Sequence, residues 1–277
     1  MFKMANNEER KTKKLYADIV RKEWNRLKEY SYFRLEFDTT MVFLKKYLPK
    51  KGLILDAGGG PGRYTIELAK KGYDVVLLDL TPENLEFAKR KIKKERLQDK
   101  VKAILEGNIA KLPFKSNTFD AVICLGGPLS HVHPEKNRKK AISELIRVAK
   151  KNAPIFIAVM GKFAVIMNSL RFWPEEVKMK KHFERFSQQG DDYMWRRRGY
   201  CHFFELKEFE NLFDKNVEIV EEVGLEGLAS TSRDITKKLF RKQPKIAKNW
   251  MKMHYKTCTN PTVVDLSAHM MIIVRKK

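Results

Sequence analysis

Apolar residues recur along the chain in two rhythms. Over 8–30, Leu15, Ile19, Trp24 and Leu27 fall near helical spacing with charges between them. Residues 36–48 read as a second helix, ended by Pro49 and Gly52. The rhythm then changes to short apolar runs. LILDA (53–57), DVVLLDL (74–80), VKAILEGNI (101–109), FDAVICLGG (119–127) and PIFIAVM (154–160) read as buried strands. Helices are expected at 64–71, from Thr81 to about Leu97, and at 135–150, with Thr81 as N-cap and Pro82 in the first turn. Alternation of strand and helix over 53–160 predicts an α/β fold with a parallel sheet covered on both faces. After 160 the pattern loosens. Residues 161–204 are helical or irregular, 205–213 a helix, 217–227 a strand, 228–262 a basic helical insertion and 268–274 a last strand. The expected division is a helical segment (1–52), an α/β core (53–160), and insertions plus final strands of the same domain (161–277).

The chemistry centres on LDAGGGPGRY (55–64). Gly58, Gly60 and Gly62 follow a strand and open a helix, so the backbone can turn tightly and approach a ligand closely. Asp79, at the end of the next strand, is placed to take both hydroxyls of a ribose. The dinucleotide pattern G-x-G-x-x-G fails, because Arg63 or Thr65 stands where its third glycine belongs. Asp56 lies two residues before the first glycine, which suits a ligand carrying an ammonium better than a pyrophosphate.

These residues resemble the class I S-adenosylmethionine-dependent methyltransferases over about 53–160. The resemblance implies a Rossmann-like, mostly parallel seven-stranded sheet with an antiparallel seventh strand at HMMIIVRKK. It implies S-adenosylmethionine as cofactor. Asp56, Gly58, Gly60 and Gly62 would hold the methionine part, Asp79 the ribose, and Leu80 the adenine face. Asn108 would offer its side-chain oxygen to the adenine amine, where the family usually has Asp, and the Ile109 backbone N–H would meet the ring. Leu125, Gly126, Gly127 and Pro128 would lie beside the methyl group. The Asn/Asp-Pro-Pro-aromatic motif of amino-directed nucleic-acid methyltransferases is replaced here by Gly126-Gly127-Pro128-Leu129. Backbone carbonyls near Gly126 and Gly127 could still accept an amino hydrogen. His131, just beyond, is read as a loop histidine or as a group that steers or deprotonates the acceptor.

Charge enlarges the picture. The 277 residues carry 57 Lys and Arg against 34 Asp and Glu, a formal net charge of +23. Arg233 to Lys256 holds nine basic residues and one acid, and Arg196-Arg197-Arg198 forms a compact cluster. Aromatics interleave with both, a composition that grips phosphates and stacks on bases. RNA, ribosomal or transfer, is therefore the expected partner, with an exocyclic amine such as cytidine N4 as acceptor. Arg196, Arg197, Arg198, Lys237, Lys238, Arg241 and Lys242 are the expected RNA contacts. Two alternatives stay open: a small-metabolite methyltransferase lidded by the N-terminal helices, and a cofactor-binding RNA assembly factor without turnover. Three dispersed cysteines exclude a disulfide scaffold and fit a reducing, cytoplasmic setting. Cys124 reads as core. No metal-ligand spacing and no membrane span is apparent.

Overall fold

A strand buried on both faces needs apolar side chains in both directions, and the runs from Leu53 to Met160 supply them. A computed structural model describes residues 2–29, 31–193 and 199–277. Its main sheet holds β1 (Leu53–Ala57), β2 (Asp74–Asp79), β3 (Val101–Glu106), β4 (Ala121–Cys124), β5 (Pro154–Met160), β8 (Val217–Gly224) and β9 (His269–Lys276). The order is β3-β2-β1-β4-β5-β9-β8. The first five strands are parallel, and β9 runs antiparallel between β5 and β8. β6 (Asp191–Asp192) and β7 (Cys201–His202) form a separate two-stranded ladder. The expected α/β architecture with an antiparallel seventh strand is the one observed.

The period of two is visible in the core. Leu55 and Ala57 join one apolar layer with Ile155, Ile157, Val159, Ile272 and Val274. Ile54 joins the opposite layer with Phe156, Ala158, Met271 and Ile273. Helices α1 (Phe2–Glu29), α2 (Ser31–Tyr47), α3 (Arg63–Lys70), α4 (Pro82–Lys94) and α5 (Glu135–Val148) surround the first half of the sheet. The second half carries α6 (Lys162–Phe172), α7 (Pro174–Lys178), α8 (Lys180–Gln189), α9 (Leu206–Glu210), α10 (Arg233–Lys242), α11 (Pro244–Thr257) and α12 (Pro261–Asp265). Within α1, Ile19 leaves helical geometry (φ −120°, ψ 15°).

Three expectations shift. α2 starts five residues earlier than its pattern predicts, because Tyr32 and Leu35 are buried with Ala229 against Phe240, Trp250 and Met251. β3 stops at Glu106, where Gly107 N–H turns to donate to the Asp79 backbone carbonyl. β4 is only four residues long, since Phe119 N–H already bonds the Val148 carbonyl. Thr81 does stand at the N-cap of α4, but its side chain makes no capping bond.

Candidate active site

The glycine loop is shaped by its neighbours. Gly58 has φ +75°, and a Cβ there would meet Pro128 Cγ at 2.6 Å. The loops after β1 and β4 therefore touch, and only a bare α-carbon admits the contact. Beneath them lies Asp56, fully buried. Its Oδ2 accepts from Thr65 N at 3.1 Å and from the Thr65 hydroxyl at 2.6 Å, so it pins the first turn of α3. A Cβ on Gly59 would sit 2.5 Å from Asp56 Cγ. Burial pushes the Asp56 carboxyl up to about 7, and its Oδ1 is enclosed with no partner.

Asp79 ends β2 and faces the same loop. Its Oδ2 accepts from Gly60 N at 2.8 Å, and its Oδ1 from Thr81 N at 2.9 Å and Asn84 Nδ2 at 3.1 Å. Burial raises its carboxyl, and these donors pull it back. Asn84 Oδ1 remains without a partner.

A cavity of about 270 Å³ opens above these groups. Of the residues expected at the cofactor, Gly58, Gly60, Asp79, Leu80, Asn108, Ile109 and Leu125 line it; of those expected at the chemistry, Gly126, Pro128 and His131 do. Three expected residues do not. Asp56 lies behind Gly59, so its expected contact with a ligand ammonium gives way to support of the loop. Gly62 packs toward α4, where a Cβ would come within 3.1 Å of Ala88 Cβ. Gly127 turns toward Met160. Asn108 also departs from expectation, since its Oδ1 accepts from Ala110 N at 2.8 Å and its amide nitrogen faces Glu9.

The opposite wall comes from α1, through Glu9, Thr12, Tyr16, Glu23, Arg26 and Leu27. These recur at helical spacing on one face. The apolar stripe of this helix is legible in the sequence, and the polar one beside it is not. Tyr16 Oη lies 2.9 Å from His131 Nε2, and His131 Nδ1 lies 3.0 Å from the Tyr200 carbonyl. A carbonyl only accepts, so Nδ1 carries hydrogen, and in a neutral ring Nε2 would then accept from Tyr16. Burial, with Glu23 nearby, raises the Tyr16 hydroxyl. The Thr12 hydroxyl is buried without a partner. Burial also keeps His133, another lining residue, below its ordinary value and so neutral.

Arg26 anchors the far end of this wall. It donates to Glu23 at 3.1 Å and to both oxygens of Glu36, one at 2.5 Å and the other at 3.2 Å. Glu36 is 3.8 Å from His269 Nδ1, which is itself 2.6 Å from Glu226. Burial opposes charge on His269, but Glu36 and Glu226 push it up to about 9. Glu36, Glu226 and His269 lie close enough together to ligate a metal. The bidentate Arg26 and a cationic His269 make them an ion-pair network instead.

The basic segments stand apart. Lys237, Lys238, Arg241 and Lys242 are exposed, and none lines the cavity. Arg196, Arg197 and Arg198 lie outside the described residues. The aromatics expected among the charges are mostly core: Tyr200, Phe203 and Phe204 are fully buried, and Phe240 and Trp250 pack against Tyr32 and Leu35. Their stacking is intramolecular because the apolar face of each amphipathic helix must be covered by the body of the protein. Cys124 is buried, as its place in β4 implies. Among the described residues no helix is long and apolar enough to cross a membrane.

With this geometry in view, comparison with known proteins is informative. Residues 54–152 match the family described as a methyltransferase domain. An uncharacterized protein of Methanocaldococcus jannaschii is 35% identical over 137 residues, 49% of this chain and 53% of that protein. A glycine/sarcosine N-methyltransferase of Parasynechococcus marenigrum is 30% identical over 147 residues, 51% of this chain and 49% of that protein. The chain thus spans about half the length of the curated relatives it matches. A solved S-adenosylmethionine-dependent methyltransferase from Methanosarcina mazei shares the fold, with a TM-score of 0.57 and 23% identity over 84% of this chain and 96% of that one. Residues 54–152 thus form a methyltransferase domain, and the cofactor this similarity implies is S-adenosylmethionine.

The residues present fit that cofactor. Bare glycines give a close approach, and Asp79 offers a carboxylate for a diol. Leu80 and Ile109 frame an apolar slot, and buried polar atoms at Asn84 and Thr12 await partners.

Proposed function

We propose that the protein transfers the methyl group of S-adenosylmethionine to a small amine enclosed beneath α1. The observation that carries this reading is the α1 wall. It roofs the cavity on the acceptor side, so an acceptor must fit inside. A cavity of about 270 Å³ sits at the lower edge of small-molecule sites, leaving little room beyond the cofactor. A folded polynucleotide would need an open face there.

Residue chemistry favours an amine. Glu23 faces the cavity beside an Arg26 already neutralised by carboxylates, so this end attracts a cation. A cationic amine must lose a proton before it can attack. Tyr16 and His131 offer the route: the amine proton passes to the Tyr16 oxygen as the Tyr16 hydrogen moves to His131 Nε2. The cofactor supplies an electrophilic methyl group. The similar cyanobacterial protein named for glycine and sarcosine agrees with an amine acceptor.

A second reading keeps RNA as the substrate, supported by the net charge of +23 and the exposed basic residues of α10. One experiment separates the two. Methyl-labelled cofactor is offered with unmodified cellular RNA and, separately, with a small-molecule extract. Label in the extract supports the enclosed amine. Ribonuclease-sensitive label, with a salt slope of about −0.7 per phosphate contact, supports RNA.

A further inference from the structure

At the base end of the cavity Asn108 has little acceptor capacity to spare. Its side-chain oxygen accepts from Ala110 N at 2.8 Å, and its amide nitrogen donates to Glu9 Oε2 at 3.0 Å. The reverse orientation would set donor against donor at Ala110 and acceptor against acceptor at Glu9, so the amide has one stable arrangement. Asn108, which lines the cavity with Leu80 and Ile109, therefore keeps a single oxygen lone pair for a donor such as the exocyclic amine of adenine.

Glu9 adds acceptors beside it. Its carboxylate has about four acceptor positions and spends one on Asn108. It lies on the cavity wall, and the helix that carries it is held against the end of β3 by Lys13 and Glu106, 2.5 Å apart. We propose that Glu9 of α1, oriented by Asn108, accepts a hydrogen from the adenine amine and makes the N-terminal helix part of the nucleoside site. This rests on the cofactor assignment and extends it: the base is read by two elements 99 positions apart in sequence.

The test uses calorimetric titration of the full chain, without turnover. The ligands are S-adenosylhomocysteine and its purine-riboside counterpart, which lacks the exocyclic amine and keeps the ring acceptor at N1. The wild type is expected to prefer the adenosyl ligand by roughly 10- to 100-fold, the span of a hydrogen bond to a charged group. Glu9→Ala should lose most of that preference, and Glu9→Gln, which keeps an uncharged acceptor, should retain part of it. Lys13→Ala, which loosens the same helix without touching the base, should weaken both ligands alike. Unchanged preference in Glu9→Ala, with its melting temperature retained, overturns the proposal. Failure of the wild type to bind either ligand overturns the cofactor assignment itself, and the proposal with it.

Discussion

The two walls of the cavity are built on different principles. One is made of strand ends: Gly58 and Gly60 after β1, Asp79 and Leu80 after β2, Ile109 after β3, Leu125 and Gly126 after β4. Each is fixed by a sheet whose strands β1, β2 and β4 are buried on both faces, whereas the edge strand β3, expected to be buried, is half-exposed, and each sits where an open α/β sheet places its ligands. The other wall is one helix. α1 reaches the core through separate polar ties: Lys13 to Glu106, Tyr16 to His131, Arg63 to the Trp24 carbonyl, Lys28 to Glu67 and Arg26 to Glu36. The lesson is a division of labour. Strand ends build the part of the site that lies within the matched family domain, and the helix builds the wall opposite from outside it.

Breaking the strand wall should have the largest effect. Gly58→Val places side-chain atoms where Pro128 already stands and should abolish measurable binding of S-adenosylhomocysteine in calorimetry, with the far-ultraviolet circular dichroism spectrum retained. Asp79→Ala removes a charged acceptor from the diol and from the Gly60 amide, and should weaken the same ligand by about 100-fold. Breaking the helix wall should separate chemistry from cofactor binding. Tyr16→Phe is expected to lower kcat by about 100-fold, with the cofactor Kd within a factor of two. Loss of cofactor affinity in step with kcat would contradict a role on the acceptor side.

A smaller effect should come from the network behind Arg26. His269 is raised from an ordinary value near 6.5 to about 9, so its cation favours the folded state. That contribution is complete below about pH 6.5 and is lost as pH rises through about 9. Thermal melts from pH 6 to 9.5 should fall by several degrees more in the wild type than in His269→Gln. The smallest effect is expected from reversing Lys237, Lys238, Arg241 and Lys242 to Glu. Methylation of a small amine should persist within a factor of two, and its loss would return weight to RNA.

How legible each wall was follows from the same difference. Strand ends were readable because buried parallel strands need unbroken apolar runs and a close turn needs glycine. Leu53 to Ala57 followed by Gly58 leaves few other folds. What could not be read was direction. Asp56 and Gly62 sit in the motif, but the pleat turns one beneath the loop and the other toward Ala88. Asn108 matched its family position by type, yet the bond from Ala110 decides which end of the amide faces the cavity. Along α1 the signal was present but masked. Glu9, Thr12, Tyr16, Glu23 and Arg26 share a face, and a polar stripe on a charged helix resembles solvent exposure until partners such as Asn108 and His131, 99 and 115 positions away, are known. The surplus charge misdirected attention in the opposite sense. Phe240 and Trp250 lie among lysines in sequence and among apolar side chains in space.

The break at Ile19 divides that helix between two tasks. Glu9, Thr12 and Tyr16 precede it, and Glu23, Arg26 and Leu27 follow it. Because Ile19 is not held by regular helical geometry, the two segments need not travel as one rod. The segment after the break is fastened to the interior by Arg26 and Glu36, whereas the segment before it grips chiefly through exposed or half-exposed partners. The two segments therefore take their positions from different neighbours: Glu9 and Tyr16 are set by the loops after β3 and β4, whereas Arg26 is set by its buried pair with Glu36.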